Sequence, residues 1–123
     1  MSRKRENVRQ CKAIRQLIDD NKYTKALELI DAIPLEEVGS LDDLYRYAEL
    51  YEKAERMDKK KEIFYHIYHR THSRYMLNRL LRLTIRMGDM EEARELYFAY
   101  EVAGPITLDT FELRYLLAKA EGE

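Results

Sequence analysis

The sequence is poor in several residue types, and each shortage excludes a class of protein. One cysteine, Cys11, excludes an internal disulfide and a structural zinc site built on cysteines. Four glycines and two prolines supply little turn material for an all-β fold. No uncharged apolar run approaches the roughly 20 residues that a bilayer span needs, and the basic start lacks the apolar segment of a signal peptide. These shortages predict a cytoplasmic helical protein.

Positive and negative charges are nearly balanced in the chain. The chain has 22 basic and 23 acidic side chains, so no global field attracts it to nucleic acid or to acidic membranes. Its 46% of hydrophobic residues is too high for a disordered chain. A length of 123 residues suits one domain, and we expect residues 1–123 to form it.

Apolar residues recur at helical spacing along most of the chain. They predict seven helices, over about 6–19, 23–32, 41–57, 59–71, 73–87, 89–103 and 107–121. Ser40 is expected to cap the third helix and Asp89 the sixth, because their side chains can accept from backbone N–H groups of the first turn. Gly88 is expected at positive φ, where it closes the fifth helix.

Three turns between helices have related sequences, at 20–26, 57–63 and 87–93. Their residues Ala26, Ile63 and Ala93 lie 37 and 30 residues apart, which brackets the roughly 34 residues of a helix-turn-helix repeat. The stretch 80–105, with Gly88 at its turn, then Ala93, Tyr97 and a closing Pro105, resembles a tetratricopeptide repeat. The resemblance implies an all-α, right-handed α-solenoid with helix pairs at about 6–34, 41–71 and 73–105, followed by a terminal helix at 107–121.

No residue pattern predicts catalysis. The chain has no nucleophile elbow, no phosphate-binding glycine loop and no paired-cysteine motif, so we expect neither an enzyme nor a cofactor. His66, His69 and His72 stand three residues apart, but no carboxylate accompanies them at ligand spacing, so no metal site is predicted.

The charged residues of the first helices are the candidate binding residues. The resemblance implies that the first helix of each pair lines a concave surface, where Arg79, Arg82 and Arg86 share one helix face. Guanidinium groups match carboxylates, so this row fits an acidic peptide or a C-terminal carboxylate. The candidate peptide-binding residues are Tyr45, Glu52, Tyr75, Asn78, Arg79, Arg82 and Arg86. The alternative is that Glu49, Glu52 and Glu55 neutralise the arginines within the chain.

We therefore expect a non-catalytic scaffold that binds a protein or peptide through a concave face. The alternative is a nucleic-acid-binding or regulatory helical domain that uses its basic N-terminal helix. No aromatic side chain interleaves with those basic residues, which makes nucleic acid the weaker prediction. The basic residues are Arg3, Lys4, Arg5, Arg9, Lys12 and Arg15.

The seventh helix has two apolar faces. Leu108, Phe111, Tyr115 and Ala118 cluster on one side, and Leu113, Leu116, Leu117 and Ala120 cluster on another. We expect the first face to pack on the sixth helix and the leucine face to stay uncovered. Uncovered leucines mark an interface. The expected outcomes are self-association through Leu113, Leu116 and Leu117, as in a homodimer, or continuation into a longer repeat array. The alternative is that the helix buries both apolar faces within one chain.

Overall fold

The computed structural model describes the backbone from Ser2 to Gly122 and the side chains from Arg5 to Gly122. Over these residues the chain forms seven α-helices, one short 3-10 helix at Leu35–Glu37 and no strand, which confirms the all-α class. The α-helices are α1 (Ser2–Asp19), α2 (Tyr23–Ala32), α3 (Leu41–Lys53), α4 (Met57–Thr71), α5 (Arg74–Met87), α6 (Met90–Val102) and α7 (Leu108–Gly122). None of them combines the length and apolar character that crossing a membrane requires.

The chain divides into two compact units, the first ending at His66 and the second beginning at Ile67. In the first unit α1 packs on α2 and α2 on α3. In the second unit α5, α6 and α7 all pack on one another. The buried apolar residues of the first unit include Ile14, Ala26, Ile30, Leu44, Tyr47, Tyr51 and Phe64, and those of the second include Met76, Leu77, Leu80, Leu81, Ala93 and Leu113.

The helix-end signals of the sequence are confirmed. The Ser40 hydroxyl accepts from the Asp43 backbone N–H at 3.3 Å, and the Asp89 carboxylate accepts from the Glu92 N–H at 3.2 Å. Gly88 has φ of 82°, in the left-handed region that a side chain resists. These short-range interactions use residues within one helical turn, so their positions are set by local sequence.

Helices α1, α3 and α5 end in the same backbone motif, and His72, which follows α4, is also left-handed. At Asn21, Glu55 and Gly88 the chain turns left-handed, and in each turn paired backbone hydrogen bonds close the last helical turn as in a Schellman motif. Asn21 and Glu55 are 34 residues apart, and Glu55 and Gly88 are 33 apart. The predicted third helix is therefore too long, because it ends at Lys53 rather than at residue 57. Glu55 gave no turn signal because glutamate rarely adopts this conformation.

The prediction for the faces of α7 is wrong. The leucine face is covered, with Leu113 and Leu117 buried and Leu116 half-buried. The reason is that α7 packs against both α5 and α6, so the leucine face turns toward these two helices. The opposite face, with Leu108, Phe111 and Tyr115, is exposed instead.

Candidate peptide-binding face of α5

The second unit holds most of the predicted binding residues on a single helix. Tyr75, Asn78, Arg79, Arg82 and Arg86 all lie on α5. The two remaining candidates, Tyr45 and Glu52, lie on α3 of the first unit.

Helix α5 presents its arginines because its other side is strongly apolar. The hydroxyl of Ser73 accepts from the Met76 N–H at 3.3 Å and sets the start of the helix. From there, Met76, Leu77, Leu80 and Leu81 recur at helical spacing and are buried. The opposite side carries Tyr75, Arg79, Arg82 and Arg86, four residues that we call the arginine face.

Two side chains hold the guanidinium group of Arg82. Its Nε donates to the Asn78 side-chain oxygen at 2.6 Å, and its Nη1 donates to the Glu112 carboxylate at 2.9 Å. Asn78 is only 9% exposed, so the amide that holds the guanidinium is itself held by packing. The hydrogen bond and the charge of Arg82 lower the pKa of Glu112. The side chain is thus already oriented with one edge toward a carboxylate.

Tyr75 and Arg79 form a second element of the arginine face. The Arg79 guanidinium carbon lies 5.7 Å from the centroid of the Tyr75 ring, within cation–π range. Tyr75 is 64% exposed, so its ring is accessible. Together they offer a ligand an apolar surface with a cation beside it.

The acidic partner of Arg82 differs from those that the sequence suggested. Glu52 accepts from Lys60 within the first unit, and Arg82 pairs with Glu112 of α7. Glu112 stands 30 residues after Arg82, and no local pattern predicts a pairing over that distance. The signal that was present is the charge of Glu112 on the polar side of α7.

The first unit contains a buried ionic cluster that the sequence did not reveal. Asp43 is 2% exposed and accepts from Arg15 through Nε at 3.2 Å and Nη2 at 3.0 Å. Arg46 Nη1 donates to the same carboxylate at 3.2 Å. The bidentate geometry ties α1 to the first turn of α3 and leaves Asp43 no free edge for a ligand. We therefore assign this cluster to stability.

The described residues offer no ready metal centre, since nowhere among them do three histidine, cysteine or carboxylate side chains converge. Comparison of the chain with family models, curated proteins and solved structures found no match. The functional argument therefore rests on the residues themselves.

Proposed function

We propose that this chain is a non-catalytic scaffold module of the cytoplasm that binds an acidic peptide segment or a C-terminal carboxylate through the arginine face of α5. We further propose that its helix pairs form a right-handed, tetratricopeptide-like solenoid. The support for the repeat is the spacing of the left-handed turns at Asn21, Glu55 and Gly88, which are 34 and 33 residues apart. A tetratricopeptide repeat has about 34 residues.

The observation that carries the binding proposal is the geometry around Arg82. Asn78 fixes one edge of the guanidinium, and the exposed Glu112 occupies another. A surface pair of this kind contributes only about 0–1 kcal/mol, so a ligand carboxylate can replace Glu112 at small cost. Glu112 therefore occupies the position of a ligand carboxylate in the unbound protein.

The rest of the face adds charge and apolar contact. Arg79 and Arg86 lie on the same side of α5 as Arg82, and each contributes a positive charge toward an acidic segment. Tyr75 supplies a large, rigid ring of the kind that is enriched in binding surfaces. The expected ligand is a short segment with at least one carboxylate and an apolar residue beside it.

The test is fluorescence anisotropy with a labelled pool of Asp- and Glu-rich peptides that carry free C-termini, compared with the amidated pool. Arg82→Gln should weaken binding at least about tenfold, which corresponds to about 1.4 kcal/mol. Glu112→Gln should strengthen binding a few-fold, because it removes the internal competitor. Arg94→Gln is the matched control, since it breaks the pair with Glu121 at 2.8 Å, a pair that Arg82 does not join.

The two substitutions at the Arg82–Glu112 pair separate binding from stability. Both break the same ion pair, so a purely structural role predicts that they act in the same direction. Opposite effects on affinity support the proposal. Equal losses, or no binding of either pool at low salt, would overturn it.

Nucleic-acid binding is the second candidate function, and one observation favours it. The described basic side chains Arg5, Arg9 and Lys12 of α1 are exposed. Filter binding to mixed DNA and RNA tests it, because each phosphate contact steepens the salt dependence by about 0.9 in the logarithmic slope. Arg9→Glu should then reduce retention strongly. If the filter retains no DNA or RNA at low salt, this candidate function is excluded.

A further inference from the structure

The outer side of α6 carries an acidic and apolar stripe. Glu91, Glu95, Phe98 and Val102 are spaced four, three and four residues apart, so they share one face of the helix. Phe98 is 67% and Val102 69% exposed. We call these four residues the α6 stripe.

The exposed apolar surface continues beyond α6. Ile106 in the connection, and Leu108, Phe111 and Tyr115 on α7, are also exposed. Six large apolar side chains are thus open to water within the 18 residues from Phe98 to Tyr115. Exposure of this extent within one segment of the second unit favours an interaction surface over the single exposed residues that are normal on a protein.

The charge around this surface is negative. Residues 89–122 contain eight acidic and three basic side chains. Two of the basic ones are already engaged, since Arg94 pairs with Glu121 and Arg114 with Glu101. A partner that covers the α6 stripe must therefore bring positive charge next to an apolar surface.

The first unit has a surface with these two properties. An open groove of about 720 Å³ runs between α1 and α2, and its lining residues are Arg5, Glu6, Arg9, Gln10, Ala13 and Leu29. Leu29 is 38% exposed, so the groove offers apolar surface. Two of the lining side chains, Arg5 and Arg9, are basic and one, Glu6, is acidic, so the lining has a net positive charge. The groove is thus the positive complement of the α6 stripe.

We propose that copies of this chain associate head to tail, with the α6 stripe of one copy seated in the α1–α2 groove of a second copy. Phe98 and Val102 then cover Leu29 and Ala13, while Glu91 and Glu95 face Arg5 and Arg9. A symmetric contact between two α6 stripes is less favoured, because it would supply no basic side chain to the glutamates of either copy, whereas the groove supplies Arg5 and Arg9. This proposal goes beyond the peptide-binding function and uses none of the residues of the arginine face.

The contact is heterologous, since two different surfaces meet. A copy that donates its α6 stripe keeps its own groove available, so association proceeds to rings or open chains rather than stopping at a symmetric dimer. The electrostatic part of the contact weakens as salt rises, because the charges are on the surface. Average mass should therefore rise with concentration and fall with ionic strength.

Two variants test the polarity of this contact by sedimentation velocity at low salt. Phe98→Asp replaces the apolar ring of the α6 stripe with a charge. The double variant Arg5→Glu/Arg9→Glu reverses the two basic charges of the groove. Each variant alone should be monomeric at concentrations where the unaltered chain associates. An equimolar mixture should form a 1:1 dimer and nothing larger, because only one intact stripe and one intact groove remain for each pair.

A matched control is Val8→Asp, which places the same charge on an exposed apolar residue of α1 that does not line the groove. It should associate like the unaltered chain. A dimer of the groove variant alone would indicate a symmetric contact and overturn the proposal. An unaltered chain that stays monomeric at high micromolar concentration and low salt would overturn it as well. Neither result bears on the arginine face. The peptide-binding proposal is therefore tested independently of this one.

Discussion

The two units of the chain are stabilised by different interactions. The first buries the carboxylate of Asp43 under Arg15 and Arg46. It also buries the phenol of Tyr51, which donates to Asp31. In the second unit α5 contributes mainly aliphatic side chains to the interior. The ion pairs Arg82–Glu112, Arg94–Glu121 and Arg114–Glu101 of that unit lie at the surface. Both units have an apolar interior, and the comparison teaches that, among the described residues, only the first adds a buried carboxylate to it.

Apolar burial and ion pairing respond differently to substitution. Truncating a fully buried leucine loses its transfer free energy and leaves a cavity. Removing a buried carboxylate leaves its cationic partners without their hydrogen-bond acceptor. The loss of stability is smaller when water can hydrate these partners, and Arg15 and Arg46 are about half exposed. Substitutions of both kinds therefore sharpen the comparison.

The largest effect is expected in the apolar interior of the second unit. Leu80 is fully buried, so Leu80→Ala should reduce the free energy of unfolding by about 2–5 kcal/mol. Urea denaturation followed by circular dichroism measures it. Leu108→Ala, at a residue that is 86% exposed, is the control and should change stability by less than about 0.5 kcal/mol. Equal effects would contradict the assignment of the interior.

The second largest loss of stability is expected at the buried carboxylate of the first unit. Asp43→Ala removes the acceptor of three hydrogen bonds from two arginines and should cost about 1.5–3 kcal/mol. Asp42→Ala changes the neighbouring exposed acid of the same helical turn and serves as the control. If both substitutions reduce the free energy of unfolding equally in urea denaturation, Asp43 stabilises the fold only by its interaction with the helix dipole. The proposed difference between the two units would then be wrong.

The turns of the two units should respond in opposite directions. Gly88→Val forces a β-branched residue into the left-handed region and should cost about 1–2 kcal/mol. Glu55→Gly, at φ of 58°, relieves the same strain in the first unit and should stabilise by up to about 1 kcal/mol. Thermal denaturation checks both. Gly39→Val is the control, because that glycine has open space around it and no positive φ. A Gly88→Val melting temperature equal to that of the unaltered chain would be evidence against the turn.

The smallest effect is a dependence on pH in the first unit. Burial acts to raise the pKa of Asp31, but hydrogen bonds from Tyr51 and Arg56 outweigh it, so the pKa is lowered on folding. A lowered pKa stabilises the fold above the unfolded value of about 3.9, and this contribution is lost as the pH falls through the folded value. Asp31→Asn should therefore lower stability at neutral pH, and the difference from the unaltered chain should shrink as the pH falls below about 4 toward the lowered folded pKa. If the difference in free energy of unfolding between Asp31→Asn and the unaltered chain does not change with pH, the charge of Asp31 does not contribute to stability.

Local signals account for what the sequence predicted well. The helices, the caps at Ser40 and Asp89 and the turn at Gly88 depend on residues within one or two helical turns, and all of these features are confirmed. The end of α3 was missed because Glu55 adopts a conformation that its side chain disfavours. Backbone hydrogen bonds close the turn around Glu55, and the side-chain pattern of the sequence does not report them.

Long-range features were beyond the sequence. No sequence pattern marked the pairing of Asp43 with Arg15, which lies 28 residues earlier. Both faces of α7 are apolar, so the choice between them depended on α5 and α6 packing around the leucines. The arginine face was predicted because i, i+3 and i+7 spacing places side chains together, but its partner Glu112 was not.

The buried phenols of the first unit give the protein an optical reporter of its own. The chain has ten tyrosines and no tryptophan, so its near-ultraviolet spectrum is dominated by phenol groups. Burial raises the pKa of Tyr47 and of Tyr51, and in Tyr51 the hydrogen bond to Asp31 raises it further. In alkali these two rings stay un-ionised while the first unit is folded, and they become phenolates when it opens. The appearance of their phenolate absorbance therefore records the opening of the first unit without any added label.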